Sequence, residues 1–201
     1  MKVEDLDKLP KELRPTFYPE SPQKIFWLSI ITGNLYHFIW FYRHWRHFKR
    51  RAIELSKLNI KIPIKYHKDK DIIPFWSSFF LSFYIIGIAR RIRDRLKIIG
   101  FRNWATGPWW AFWFYGLEVV FRGHNVSDDI GINISLFLLN VIGLAISSWQ
   151  ITRLQIKANQ SIILSKELEN IPEIKFKKWD LFFMIVGLIF LPIIISSLLF
   201  V

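Results

Sequence analysis

From Leu181 to Val201 the chain reads LFFMIVGLIFLPIIISSLLFV, 21 residues without a charge. As a helix rising about 1.5 Å per residue, such a run reaches the roughly 30 Å of a bilayer's hydrocarbon core. Further apolar runs occupy 25–42, 72–89, 105–121 and 130–152, and the charges collect between them. Hydrophobic residues make up 52% of the 201, yet 22% are charged and the formal net charge is +12. A water-soluble domain interleaves the two classes along amphipathic elements. Their separation into blocks reads as membrane helices bounded by basic segments. The fold class expected is all-α: a polytopic integral membrane protein with about three spanning helices plus one or two re-entrant or interfacial helical segments.

The basic residues orient such a chain. Lys and Arg number five in 1–24, ten in 43–71, six in 90–103, one in 122–129 and six in 153–178. The positive-inside rule assigns rich segments to the cytoplasm. Five plain spans would leave 17 on one side and 11 on the other, a poor bias. If 25–42 and 72–89 each enter and leave on one side, 27 lie inside and only Arg122 outside. If only 72–89 does so, the split is 22 to 6. The organisation expected is a polar N-terminal segment, 1–24, and a single helical domain, 25–201, in the inner membrane, with basic cytoplasmic loops at 43–71, 90–103 and 153–178. The opening MKVEDLDKLPKELRPTFYPE has no apolar core and does not read as a cleavable signal peptide. Cysteine is absent, which removes disulfides and thiolate chemistry.

Local chemistry refines this. Thr32-Gly33-Asn34 falls near the middle of the first run, and Gly and Asn both tolerate left-handed backbone. A helical hairpin turned there competes with one continuous helix. Pro74 suits the first turn of a helix whose residues Ile85, Ile88, Ile92, Leu96 and Ile99 form one apolar face, suited to the membrane surface, with Gly100 as its stop. Thr106 and Pro108 start the third run, with Trp109 and Trp110 at an interface, and 122–131 is expected outside. The fourth run is expected to continue as helix past Arg153 towards Asn170, and Pro192 to bend the last one.

The stretch LYHFIWFYRHWRHFKRR, 35–51, carries the densest chemistry. Aromatic and basic residues together can mark nucleic-acid binding, but beside so many apolar runs they mark the cytoplasmic edge of a membrane segment. Phe41, Trp45, Phe48 and Ala52 keep one apolar face; Arg43, Arg46 and Arg50 lie on another. The residues expected to meet anionic lipid headgroups are Arg43, Arg46, Arg50, Arg51, Arg90, Arg91, Arg93 and Arg95, each suitably placed cation adding about 1 kcal/mol. His37, His44 and His47 share a helix face, yet the neighbouring Arg43 and Arg46 repel a cation and no carboxylate or thiolate completes a ligand set. No metal site and no cofactor are expected. Candidate intramembrane polar residues are Asn34, Glu118, Asn140 and Gln150. Glu118 lies four residues from Arg122 and can pair with it; the three amides suit helix–helix contacts, as do Gly143 and Ser147. HExxH, GxSxG, GxGxxG and P-loop motifs do not occur.

The stretch 17–49 resembles an uncharacterised group of small bacterial integral membrane proteins. Their pattern has an FYxVSPxK start, a Leu-Tyr pair after a Thr-Gly turn, then WFYxNW and a basic tail. Phe17-Tyr18, Ser21-Pro22, Lys24, Leu35-Tyr36 and Trp40-Phe41-Tyr42 match it. His44 stands where the pattern has Asn, and Asn34 is an added polar residue in the turn. IPFWSSFF at 73–80 and ITRLQIKANQ at 151–160 are similar to the group's later landmarks. The resemblance implies location and architecture, not an activity. The function expected is that of a non-enzymatic membrane accessory or interaction protein whose partners are membrane lipids, a second copy or another membrane protein, with no nucleic acid. The alternative is a small oligomeric transporter or channel using Glu118 and other intramembrane polar groups.

Overall fold

The computed structural model describes residues 8–60, 64–79, 81–101, 130–171 and 176–199, with the side chains of all of these except 64–67, 79, 81–83, 130–134, 136–137, 190–191 and 193–199. Every regular element among them is helical. The α-helices are α1 (Pro22–Ile31), α2 (Leu35–Lys57), α3 (Pro74–Phe79), α4 (Leu81–Ile98), α5 (Ile130–Leu164) and α6 (Lys178–Leu199), with 3-10 turns at Lys11–Leu13 and Ile64–Asp71. Counted over the described residues, no helix is long and apolar enough to cross a membrane. The third apolar run, with Thr106, Trp109, Trp110, Glu118 and Arg122, lies outside the described residues.

The turn expected at Thr32-Gly33-Asn34 is present. Gly33 and Asn34 take φ of 54° and 69°, the left-handed region. The Gly33 N–H donates to Ile30 O and the Asn34 N–H to Ser29 O, a paired closure that satisfies the last carbonyls of α1. Thr32 joins both arms: its hydroxyl donates to Leu28 O and accepts the N–H of Tyr36 in the first turn of α2. Asn59 ends α2, Gly100 ends α4 and Lys166 ends α5 with the same paired bonds, all three at positive φ. Lys166 therefore stops α5 at Leu164, six residues short of the expected Asn170. Within the basic segments expected as loops, 43–57, 64–71, 90–98 and 153–164 are helical, because the apolar faces of α2, α4 and α5 continue into them.

These faces meet in one core. Phe17, Ile25, Leu28, Trp40, Phe41, Trp45 and Phe48 pack with Ile85, Ile88, Ile92 and Leu96 of α4 and Ile151, Leu154, Ala158 and Ile162 of α5. Ile85, Ile88, Ile92 and Leu96 are at most 1% exposed, so the α4 face expected against a membrane surface lies inside the protein. It packs against α5 and shares one core with it.

Hydrogen bonds fix how the helices run. Lys24 meets Asp180 at the start of α1 and α6, and seven residues further along each, Ile31 meets Gly187. The two helices are therefore parallel, and 12 residues of α6, 188–199, continue past the hairpin turn, about 18 Å. On α5, Ser147 and Ser148 bond Asn34 at the turn, and Gln155 bonds Trp40 and His44 further along α2. So α5 runs alongside α2, and its residues 130–146 lie before the level of the turn, about 25 Å of helix. The molecule has two ends: a layered end holding both hairpin arms, and an end reached only by α5 and α6 among the described helices.

Candidate functional site

Four charged side chains are buried together at the layered end. Glu20, Lys24, Arg43 and Asp180 have side-chain exposures of 4%, 3%, 10% and 0%. Lys24 Nζ lies 2.9 Å from Glu20 Oε1 and 2.6 Å from Asp180 Oδ2. Arg43 spans the same two acids, with Nη1 2.6 Å from Glu20 Oε1 and Nη2 2.5 Å from Asp180 Oδ1. The Tyr36 hydroxyl sits between them, 3.0 Å from Glu20 Oε1, 3.1 Å from Asp180 Oδ1 and 2.7 Å from Arg43 Nη1, which donates to it. Two cations and two anions balance, which is what makes such burial tolerable. Asp180 also accepts the N–H of Lys177 at 2.7 Å, the reach-back bond of a helix N-terminus, so one carboxylate caps α6 and ties it to α1 and α2. Burial pushes the Asp180 carboxyl up, but hydrogen bonds from Lys24 and the Lys177 N–H and the charge of Arg43 outweigh it and hold the group below the usual range. Burial works against the Arg43 guanidinium too, and Glu20, Tyr36 and Asp180 together outweigh it, so Arg43 stays charged.

A neutral polar seam continues from this cluster. The Trp40 indole can only donate, and it donates to Gln155 Oε1 at 2.7 Å, which fixes the orientation of that amide. His44 Nε2, 3.0 Å from the same oxygen, must then donate as well. Gln155 Nε2 donates to Tyr18 O and Asn159 Oδ1, and Asn159 Nδ2 to Glu20 O. His47 Nε2 donates to Pro15 O at 2.8 Å. Burial lowers His44 to about 3 and His47 to about 4, so both imidazoles are neutral near pH 7. His37 is also buried. Among the described residues no three His or carboxylate side chains converge as a metal site.

The eight arginines expected at headgroups divide into two sets. Arg43 is inside the ion cluster. Arg51 donates to Leu13 O and Arg14 O, and Arg91 forms a two-pronged pair with Asp69 at 2.6 and 2.7 Å while lying over the rings of Trp45 and Phe48. Arg95 Nη2 is 2.5 Å from Glu167 Oε1, and Glu167 also accepts from the Thr16 N–H and hydroxyl. These four are drawn inward because each finds acceptors on the N-terminal segment or a neighbouring helix. Arg46, Arg50, Arg90 and Arg93 are exposed; of these Arg93 reaches Asp94 at 3.4 Å. Asn34 is buried and exchanges hydrogen bonds with Ser147 and Ser148 at 2.6 and 2.9 Å. Gln150 is buried, and neither atom of its amide has a hydrogen-bond partner among the described residues. Asn140 is half-buried. Glu118 lies outside the described residues.

Arg46 and Arg50 line a cleft of about 540 Å³ between the 3-10 turn Lys11–Leu13, α2, α3 and the start of α6. Lys177, which donates to the Tyr18 hydroxyl, and Glu12 line its polar part; Phe38, Phe75, Trp179 and Phe183 line its apolar part. The sequence does not single out Glu20 or Asp180, and marks Lys24 and the 151–160 stretch that holds Gln155 only through the resemblance, although Lys24 and Asp180 stand immediately before the first and last apolar runs. No family model matches this chain, and no curated protein or solved structure matches it.

Proposed function

We propose that this chain is a multi-pass helical protein of the inner membrane, a non-enzymatic accessory or interaction protein whose basic cytoplasmic face engages anionic lipid headgroups. The observation that carries the reading is the exposed apolar surface, set against an interior that holds ions and amides beside its apolar core. Trp27, Leu138, Ile142, Phe182, Ile185 and Leu188 are each more than half exposed. In water such a surface is disfavoured by roughly 25 cal/mol per Å². In a bilayer it is the natural contact with lipid, and the buried polar groups hold helices together. Large apolar patches of this kind mark membrane or partner contacts.

Depth supports the same reading. The ten residues of α1 reach about 15 Å, half a hydrocarbon core, which suits a re-entrant hairpin whose turn is buried against α5. The whole uncharged stretch 181–201, rather than its described part, supplies the length of a span. The likeness of 17–49 to small bacterial membrane proteins points to the same location. Exposed Arg46, Arg50, Arg90 and Arg93 form the headgroup-facing set, and the apolar surface of α5 and α6 offers a second copy or another membrane protein a place to pack.

The test is partition of the purified protein from detergent into nanodiscs of phosphatidylglycerol or phosphatidylcholine. The reading predicts a preference for phosphatidylglycerol that weakens with salt and with replacement of those four arginines by glutamine. Partition indifferent to headgroup charge and to salt would refute it.

A further inference from the structure

We propose that the cleft between α2, α3 and α6 seats one anionic phospholipid, its phosphate held by Arg46 and Arg50 and one acyl chain lying along Phe38, Phe75 and Phe183. This rests on the membrane reading above and sharpens it from a diffuse basic face to a single stoichiometric site. Three observations converge on it.

The first is charge without a counter-charge. Arg46 and Arg50 lie one helical turn apart on the same side of α2. Unlike Arg43, Arg51, Arg91 and Arg95, neither has an acceptor or a carboxylate within bonding distance among the described residues. Lys177 lines the same cleft and donates to the phenol of Tyr18. Glu12 is the one carboxylate on the described lining outside the ion cluster, so three cations stand against one anion. Arg43 also lines the cleft, but Glu20 and Asp180 already neutralise it.

The second is the order of polarity along the cleft. On α2 the lining runs from Phe38 and Ile39 through Tyr42 to Arg46 and Arg50, about 18 Å from first to last. Into α6 it runs the opposite way in sequence, from Lys177 just before the helix through Trp179 to Phe183. The helices are antiparallel, since Asp180 meets Arg43 while Gly187 meets the turn before α2, so both place cations at one end and aromatics at the other. The aromatic end is built rather than incidental: Phe38 and Phe75 pack edge to face at 5.7 Å, yet Phe75 remains 51% exposed and Trp179 64%.

The third is size. About 540 Å³ accommodates a glycerophosphate head and part of one chain, within the usual range for ligand clefts. A soluble anion would use the cations and leave the aromatic end empty. A lipid without a phosphate would use the aromatics and leave Arg46 and Arg50 unpaired, and a zwitterionic one would bring its own cation beside them. An anionic amphiphile uses both.

Native mass spectrometry of the detergent-purified full chain tests this, with added phosphatidylglycerol, phosphatidylcholine or inorganic phosphate. One phosphatidylglycerol should be retained per chain, with phosphatidylcholine and inorganic phosphate at least about tenfold weaker. Arg46→Gln/Arg50→Gln should weaken retention about tenfold, and Phe75→Ser should weaken it without changing the preference for charge. All three positions are exposed, and an unchanged helical circular dichroism spectrum confirms the fold of each variant. Arg90→Gln/Arg93→Gln should leave retention intact. Equal loss in that control pair would overturn the seat while leaving the basic-face reading standing. Full competition by millimolar inorganic phosphate would reduce the site to a pocket for a small anion with no place for a chain, and overturn it. Retention blind to headgroup charge and salt in every variant would overturn both.

Discussion

At the scale of single residues, Asp180 concentrates most of the polar interior. It caps α6, pairs with Lys24 and Arg43, accepts from Tyr36 and is fully buried. Breaking a buried pair from one side leaves an uncompensated ion and costs roughly 3–5 kcal/mol. Lys24→Met should therefore lower the unfolding midpoint in detergent more than Lys24→Met/Glu20→Gln, in which two positive and two negative charges become one of each. A double variant less stable than the single would show that the cluster does not act as a neutral set. His44 and His47 give a pH signature. Their folded values, about 3 and 4, lie below the ordinary 6.5, so between them the unfolded chain binds protons that the folded chain refuses. Stability should be complete above about pH 6.5 and fall as pH drops towards 4, by about 2 kcal/mol per histidine at pH 5. His44→Gln retains a donor towards Gln155 and should flatten that slope by about one proton's worth in chemical denaturation between pH 5 and 7. An unchanged slope would contradict the burial of a neutral His44. None of this was legible in the sequence. Lys24 and Asp180 read as ordinary flanking charges, because only the tertiary register brings the starts of two runs 156 positions apart side by side.

At the scale of elements, the turn at Gly33-Asn34 and the stop at Gly100 were legible, because left-handed backbone narrows the residue choice to Gly and Asn. The end of α5 was not, since Lys166 takes the same conformation without the residue type that announces it. Nor was the contact that seats α6. Gly187 is the sole glycine in 181–201, and a Cβ there would lie 2.5 Å from Ile31 O and 2.9 Å from Thr32 Cα. Backbone atoms cannot yield as a side chain can, so α6 approaches the hairpin turn as closely as it does only through glycine. Gly187→Ala should push α6 away from α1 and lower the unfolding midpoint, despite alanine's better helix propensity of about 1 kcal/mol. A midpoint that rises instead would mean that α1 and α6 are not in contact at the turn. The amphipathic half of α4 shows the limit of periodicity. Ile85, Ile88, Ile92 and Leu96 mark a buried stripe correctly, but a stripe does not say whether lipid or protein covers it.

At the scale of the whole molecule, a short helical hairpin is tied by buried ions and amides to its neighbours, beside two helices that run on past its turn. Composition made the helical class and the segregation of charge legible. It did not reveal that four of the eight candidate arginines serve the interior, since a basic side chain looks the same in sequence whether it meets a phosphate or a buried carboxylate. The absence of cysteine gives a clean background for the decisive measurement. Single-cysteine variants Gln23→Cys before the hairpin, Lys57→Cys after it and Val126→Cys between the third and fourth apolar runs can be labelled with a membrane-impermeant maleimide in right-side-out and inverted vesicles. The account predicts that Gln23→Cys and Lys57→Cys label from the same, cytoplasmic side and Val126→Cys only from the other. Labelling of Gln23→Cys and Lys57→Cys from opposite sides, or of all three from one side, would contradict it.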